Sequence, residues 1–223
     1  MSMKIIKISF LLLLASIVLL SIVFWTPDTS FEDMRGKYGG GSSQFLTMDN
    51  GSRIHFRDQG DPAAKVLLFI HGISASLHTW EPLISQLGSG YRFVSLDLPG
   101  HGLTGVNPER DYSRKAMVNA VWAVMDHLGI EKASLVGNSL GGAVAWSSAL
   151  DKPQRVKSLV LIAPSGAPRQ KASQSNIGFK ILRTELGQML MKKVSPRFII
   201  KKSLLQTVAK PEIVNELMVD RYW

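Results

Sequence analysis

The chain has 223 residues, a formal net charge of +9 and 45% hydrophobic residues. That is room for one domain, with or without a small appendage, and too much apolar content for a wholly disordered chain. It contains no cysteine, which excludes disulfides, Cys-ligated zinc, iron–sulfur clusters and thiol nucleophiles.

The first element is an uncharged run of 18 residues from Ile8 to Trp25, preceded by Lys4 and Lys7. As a helix it would be about 27 Å long, close to the ~30 Å of bilayer hydrocarbon. Asp28, Glu32 and Asp33 follow it. The positive-inside rule then puts the N-terminus in the cytoplasm and the rest on the outer, periplasmic or extracytoplasmic, face. A cleaved signal peptide is the competing reading, but its apolar core is usually ~7–15 residues with a small-x-small cleavage site. Here the run ends in Val23-Phe24-Trp25-Thr26-Pro27, so residues 1–25 are expected to be an uncleaved signal anchor, a single transmembrane helix. Residues 26–43, rich in Gly and Ser towards Gly39-Gly40-Gly41-Ser42-Ser43, read as a flexible linker.

Phe45–Met48 and Arg53–Phe56 flank Asp49-Asn50-Gly51-Ser52, the pattern of a hairpin with an Asn-Gly turn. Lys65–Ile70 is a continuous apolar run that suits a strand buried on both faces. Thr79–Leu87 is a short helix candidate, and Arg92–Leu96 a second buried strand. Met117, Val121, Val124 and Leu128 recur at helical spacing and predict an amphipathic helix that stops at Gly129. Lys132–Val136 predicts a strand, Leu140–Leu150 a helix of small residues, and Val156–Ala163 a further buried strand. Strands alternating with helices predict an α/β core over 44–167 with a mostly parallel sheet. After that the strand-like runs cease. Stretches 177–191, 196–208 and 211–219 look helical, and 168–223 reads as a helical cap.

Gly137-Asn138-Ser139-Leu140-Gly141, with Gly142 after it, is a G-x-S-x-G pentapeptide between a predicted strand and a predicted helix. In that context the pattern is a nucleophile elbow, a strained turn that presents a serine hydroxyl. The glycines are needed because strand and helix approach too closely for side chains. His71-Gly72-Ile73-Ser74 follows a buried strand, and Asp97-Leu98-Pro99-Gly100-His101-Gly102-Leu103-Thr104 follows the next. Together with Ala163-Pro164-Ser165-Gly166, these motifs resemble the capped, serine-nucleophile branch of the α/β-hydrolase family over about residues 43–223.

The resemblance implies roles. Ser139 would be the nucleophile, and the backbone N–H groups of Ile73 and Leu140 the oxyanion hole. His71, Gly72, Gly137, Asn138, Gly141, Gly142 and His101 would shape the elbow and pocket. Asp97 would order the loop after its strand, while His55, His78 and His127 read as scaffold or surface. A serine rather than an aspartate at the elbow separates the chain from epoxide hydrolases and haloalkane dehalogenases. It looks more like esterases, lipases and the carbon–carbon bond hydrolases of aromatic-ring degradation. The expected substrate is a small acyl compound or ester, with no metal and no cofactor.

In this fold the triad order is Ser, then Asp or Glu, then His. All five histidines precede Ser139, and no acidic residue after it sits behind a later core strand. The last strands of the fold and the triad Asp and His are therefore expected to be absent from this chain, which would be C-terminally truncated and inactive alone. The alternative is a catalytically inactive binding module or fragment of the same fold.

The charge is uneven. Residues 168–223 carry +7 and the rest only +2. A basic cap beside a membrane anchor would meet anionic lipid headgroups, against the plainer reading of a solvated helical face. Nucleic-acid binding is not expected, since no binding motif is present.

Overall fold

The computed structural model describes residues 3–166, 184–185 and 196–223. The chain divides into two compact units, one over Ser30–Arg169 and one joining Met1–Thr29 with Gln170–Trp223.

The second unit contains α1, Met3–Val23, in which Ile5–Val23 is long and apolar enough to cross a membrane. None of that span is buried.

In the Ser30–Arg169 unit, part of the expected linker is ordered. Helix α2, Phe31–Tyr38, starts at Ser30, whose hydroxyl accepts the Asp33 N–H at 3.1 Å. Glu32 and Asp33 in its first turn and Arg35 and Lys37 in its last complement the helix dipole.

A six-stranded sheet follows, in the order β1-β2-β4-β3-β5-β6. Strands β1 (Ser43–Thr47) and β2 (Arg53–Gln59) form the expected antiparallel hairpin, with Gly51 at positive φ in its turn. Strand β2 then pairs antiparallel with β4 (Tyr91–Leu96). From β4 onward, β3 (Lys65–Ile70), β5 (Ala133–Asn138) and β6 (Val156–Ile162) pair in parallel.

Alternate residues of the inner strands feed two apolar layers, which is why those strands read as continuous apolar runs. Leu68, Ile70, Val94, Leu96 and Leu135 face helices α4 (Arg114–His127) and α5 (Leu140–Asp151) through Met117, Val121, Val124 and Val144. Phe69, Phe93 and Val136 form a smaller layer with Trp80 and Ile84. The helix expected over Thr79–Leu87 is shorter. A 3-10 turn, Leu77–Trp80, runs into α3, Glu81–Ile84.

Strand β6 departs from expectation. Its apolar sequence predicts burial, yet among the described residues it is an edge strand, and Leu159, Val160, Leu161 and Ile162 are 37–48% exposed. Composition reports the preference of the residues, not whether the sheet supplies cover on both sides.

The other unit ends in α6, Arg197–Thr207, and α7, Glu216–Tyr222. Arg197 reaches Glu216 and Asp220, each at 2.7 Å, and Lys201 reaches Glu216 at 2.6 Å. Helix α7 begins after Asn215, whose side chain accepts the Met218 N–H, rather than at Pro211. The helix expected over 177–191 lies outside the described residues.

Because Leu68 has no solvent exposure and Leu159 has 37%, the two leucines should respond differently to truncation. Leu68→Ala should cost about 3 kcal/mol and Leu159→Ala under about 1 kcal/mol, read from urea unfolding midpoints. Equal losses would contradict the edge position of β6.

Candidate active site

The strand order sets the location. Strand β4 lies on one side of β3 and β5 on the other, so the chain switches direction at β3. The connections leaving the carboxyl ends of β3 and β5 lead to opposite edges of the sheet, and such a switch point is the usual ligand position in an open α/β sheet.

Both predicted loops are at this point. Ser139 caps α5 with φ 49° and ψ −110°, a strained conformation for a residue with a side chain. Among the described residues its hydroxyl has no hydrogen-bond partner. Its backbone is pinned instead. The Ser139 N–H donates to Ile162 O at 3.0 Å, and Ser139 O accepts the Ser165 N–H at 2.9 Å and the Ser165 hydroxyl at 3.0 Å. Asn138 Nδ2 donates to the same Ile162 carbonyl at 3.2 Å.

The glycines are explained by clearance. A Cβ on Gly137 would strike the Gly141 and Gly142 backbone, and one on Gly141 would strike the carbonyls of Ile70 and His71. On Gly142 it would come within 2.8 Å of Pro164. A Cβ on Gly72 would lie 2.8 Å from Asn138 Oδ1 and 3.5 Å from Ser139 Cβ, so the β3 loop lies directly against the elbow. Ile73, next in that loop, is largely exposed, and Leu140 is the first residue of α5. Among the described residues neither backbone N–H has a partner.

His71 and His101 make no hydrogen bond to Ser139. His71 is fully buried, donates from Nδ1 to Gly72 O at 2.7 Å and accepts the Leu98 N–H on Nε2 at 3.0 Å. Both ring nitrogens are thus used to join the two loops in the neutral state. Burial pushes its pKa down to about 4, against the opposing pull of Asp97 and the Gly72 carbonyl. His101 Nδ1 donates to Pro99 O at 3.1 Å, and its ring lies 5.1 Å from that of His71.

Asp97 orders its loop, and does more. Its carboxylate accepts the Leu77 N–H at 2.7 Å, the Leu103 N–H at 2.8 Å and His55 Nδ1–H at 2.7 Å. The Thr104 hydroxyl donates to Asp97 O and accepts the His55 N–H, both at 2.8 Å. Burial works to raise the Asp97 pKa, but the bonds from His55, its nearness to His71 and the Leu77 N–H outweigh it and hold the carboxyl below its ordinary value.

His55 is the residue that sequence reasoning missed. It is a fully buried partner of Asp97, the scaffold side of the scaffold-or-surface expectation with a role in the Asp97 network that was not foreseen. Its position inside an otherwise buried stretch of β2 was the available signal, since a polar side chain there needs a polar partner. His78, half-buried, bonds to Ser76 and lies beside Arg57, and His127, exposed, meets Phe56 edge-on, so both stay within the scaffold-or-surface expectation.

The sequence pattern of the alpha/beta hydrolase fold family matches residues 65–179, just over half of the chain. The chain belongs to the α/β-hydrolase family. It is 39% identical over 140 residues to the dihydrolipoyllysine-residue acetyltransferase component of the acetoin cleaving system of Cupriavidus necator, covering 62% of this chain and 35% of that one. Among solved structures, the meta-cleavage product hydrolase of Pseudomonas fluorescens IP01 matches with a TM-score of 0.64 and 26% identity, over 82% of this chain and 62% of that one. The naproxen esterase of Bacillus subtilis shares the fold with a TM-score of 0.68 and 21% identity, over 88% and 68% of the two chains. The chain spans between about a third and two thirds of the length of the curated relatives it matches.

The buried histidine sets an acid limit. His71 titrates near 6.5 when unfolded and about 4 when folded, so on acidification the unfolded chain takes up its proton first. Stability present above pH 6.5 should be lost between 6.5 and 4, by about 3 kcal/mol from this residue, and level off below. Asp97, with its pKa held down, keeps its contribution above the ordinary carboxylate range and loses it only at still lower pH. Urea midpoints across pH 7 to 4 measure this, and a flat profile would count against a buried neutral His71.

Proposed function

We propose that the protein is a membrane-anchored serine hydrolase for a small ester or related acyl substrate, with Ser139 as nucleophile. The observation that carries this is the strained Ser139 at the switch point, whose hydroxyl and the N–H groups of Ile73 and Leu140 have no partner among the described residues. Those donors would hold the negative charge that develops on the acyl oxygen. The pinned backbone, cleared by Gly72, Gly137, Gly141 and Gly142, keeps nucleophile and donors in register.

A serine hydroxyl needs a base. No histidine follows Ser139 in the sequence, and neither His71 nor His101 is hydrogen-bonded to it. Among the described residues the hydroxyl is therefore presented without a hydrogen-bonded base. The full 223-residue chain should hydrolyse p-nitrophenyl esters no faster than its Ser139→Ala variant. Free imidazole, as a substitute base, should accelerate fluorophosphonate labelling of Ser139 several-fold. Rapid Ser139-dependent turnover without imidazole would overturn the missing-base reading. Absence of any Ser139 adduct with imidazole would favour the inactive binding module.

Helix α1 supports anchoring, with Lys7 before the uncharged run that starts at Ile8. The outer-face orientation rests on that charge order. The basic cap supports contact with anionic headgroups through exposed Lys202 and Lys210, although Arg197 and Lys201 are engaged by Glu216 and Asp220. Lys192 and Lys193 lie outside the described residues. The chain should stay with membranes through an alkaline carbonate wash, and deletion of residues 1–25 should release it. Release of the intact chain by carbonate would exclude a spanning anchor.

A further inference from the structure

A second serine has the base that Ser139 lacks. We propose that Ser43, His55 and Asp97 form a Ser–His–Asp relay, separate from the elbow, that makes Ser43 an acceptor for small activated acyl or phosphonyl groups.

The hairpin register builds it. Ser43 lies opposite Arg57 and Phe45 opposite His55, so these four side chains share one face of the β1–β2 pair. Ser43 and His55 are then diagonal neighbours, within reach of an imidazole. His55 Nδ1 lies 2.7 Å from Asp97 Oδ2, and His55 Nε2 lies 2.8 Å from Ser43 Oγ. The proton positions follow from charge. Asp97 is an acceptor only, so Nδ1 carries the hydrogen, Nε2 presents its lone pair, and the Ser43 hydroxyl donates to it. This is the order of donors in a serine nucleophile's relay.

Two further contacts prepare the site. Arg57 Nε donates to Ser43 Oγ at 3.2 Å, which favours negative charge on that oxygen. Its guanidinium is fixed by Glu81 at 2.6 Å and by Tyr38 O at 3.0 Å. The His55 ring stacks on Phe45 with centroids 5.0 Å apart, which fixes its plane. Access comes from the α2–β1 turn. Ser43 is half-buried, Gly41 is exposed, and a Cβ on Gly41 would meet nothing within 4 Å.

The step balances. Ser43 Oγ attacks the acyl carbon of an activated ester and passes its proton to His55 Nε2. The Oγ–acyl bond forms, the ester C–O bond breaks, and the leaving phenolate takes the proton from the imidazolium. With a fluorophosphonate the P–F bond breaks and HF leaves. Ser43 ends covalently modified and His55 neutral.

The test uses the full chain carrying Ser139→Ala, so the elbow cannot contribute and the outcome does not depend on the role of Ser139. After reaction with a small fluorophosphonate, the tryptic peptide Tyr38–Arg53 is fragmented to place the adduct. Neighbouring Ser42 is in the same peptide and serves as the internal control. Labelling of Ser43 at least about 100-fold above Ser42 is expected, in line with the usual gain from a positioned base. No adduct, or equal labelling of Ser42 and Ser43, overturns the proposal. Ser43→Ala should abolish the adduct, and His55→Gln should slow it by about 100-fold or more. Unchanged labelling in a folded His55→Gln variant would also overturn it, and if that variant does not fold the Ser42 comparison decides.

Discussion

Asp97 accepts hydrogen bonds from three segments that are distant in sequence: the His55 ring on β2, the Leu77 N–H beyond the β3 loop and the Leu103 N–H in its own loop. The loop carrying Ile73 runs from His71 to Leu77. Its shape depends on this carboxylate at one end and on the His71 ring, which receives the Leu98 N–H, at the other. A buried charge is costly unless its oxygens are satisfied, and here each oxygen is. Even the glycine requirement at 102 belongs to this arrangement, since a Cβ there would strike the Asp97 carboxylate and the backbone has φ 47°. The position of the Ile73 loop beside the elbow is thus tied to a buried acid that makes no hydrogen bond to Ser139.

The elbow shows a complementary constraint, of space rather than charge. Strand β5 delivers Ser139 and α5 carries it away within a single strained residue, and the β3 loop is wedged against the turn. In the proposed reading, preorganisation of this kind fixes the N–H donors and the Ser139 hydroxyl before any substrate arrives. It does not make the hydroxyl nucleophilic. Geometry and activation are separable in this fold, and the described residues contain much of the first around Ser139 and little of the second.

Much of this was legible in the sequence, for identifiable reasons. The inner strands could be read because burial on both faces leaves an uninterrupted apolar run, and the elbow because close packing leaves a pattern of glycines. Helix α4 could be read from Met117, Val121 and Val124, all buried. Three features were not legible. Helix α2 has little apolar content, and its Ser30 cap was hidden among residues that also suit a linker. The pairing of His55 with Asp97 joins positions 42 residues apart, and a histidine on a strand carries no local mark of its partner. The exposure of β6 depends on what lies beside it, which its own residues do not encode.

That last feature reaches into how the protein must be handled. Val160, Leu161 and Ile162 present apolar side chains along an edge whose backbone groups have only one neighbouring strand. Natural sheets blunt such edges with charge, proline or a bulge, because an open edge is a template for another chain. Here Lys157 is the only charge on the strand. The same row of hydrogen-bonding groups also favours pairing between copies, so β6, just ahead of the charged cap in sequence, is where association in concentrated solution would begin.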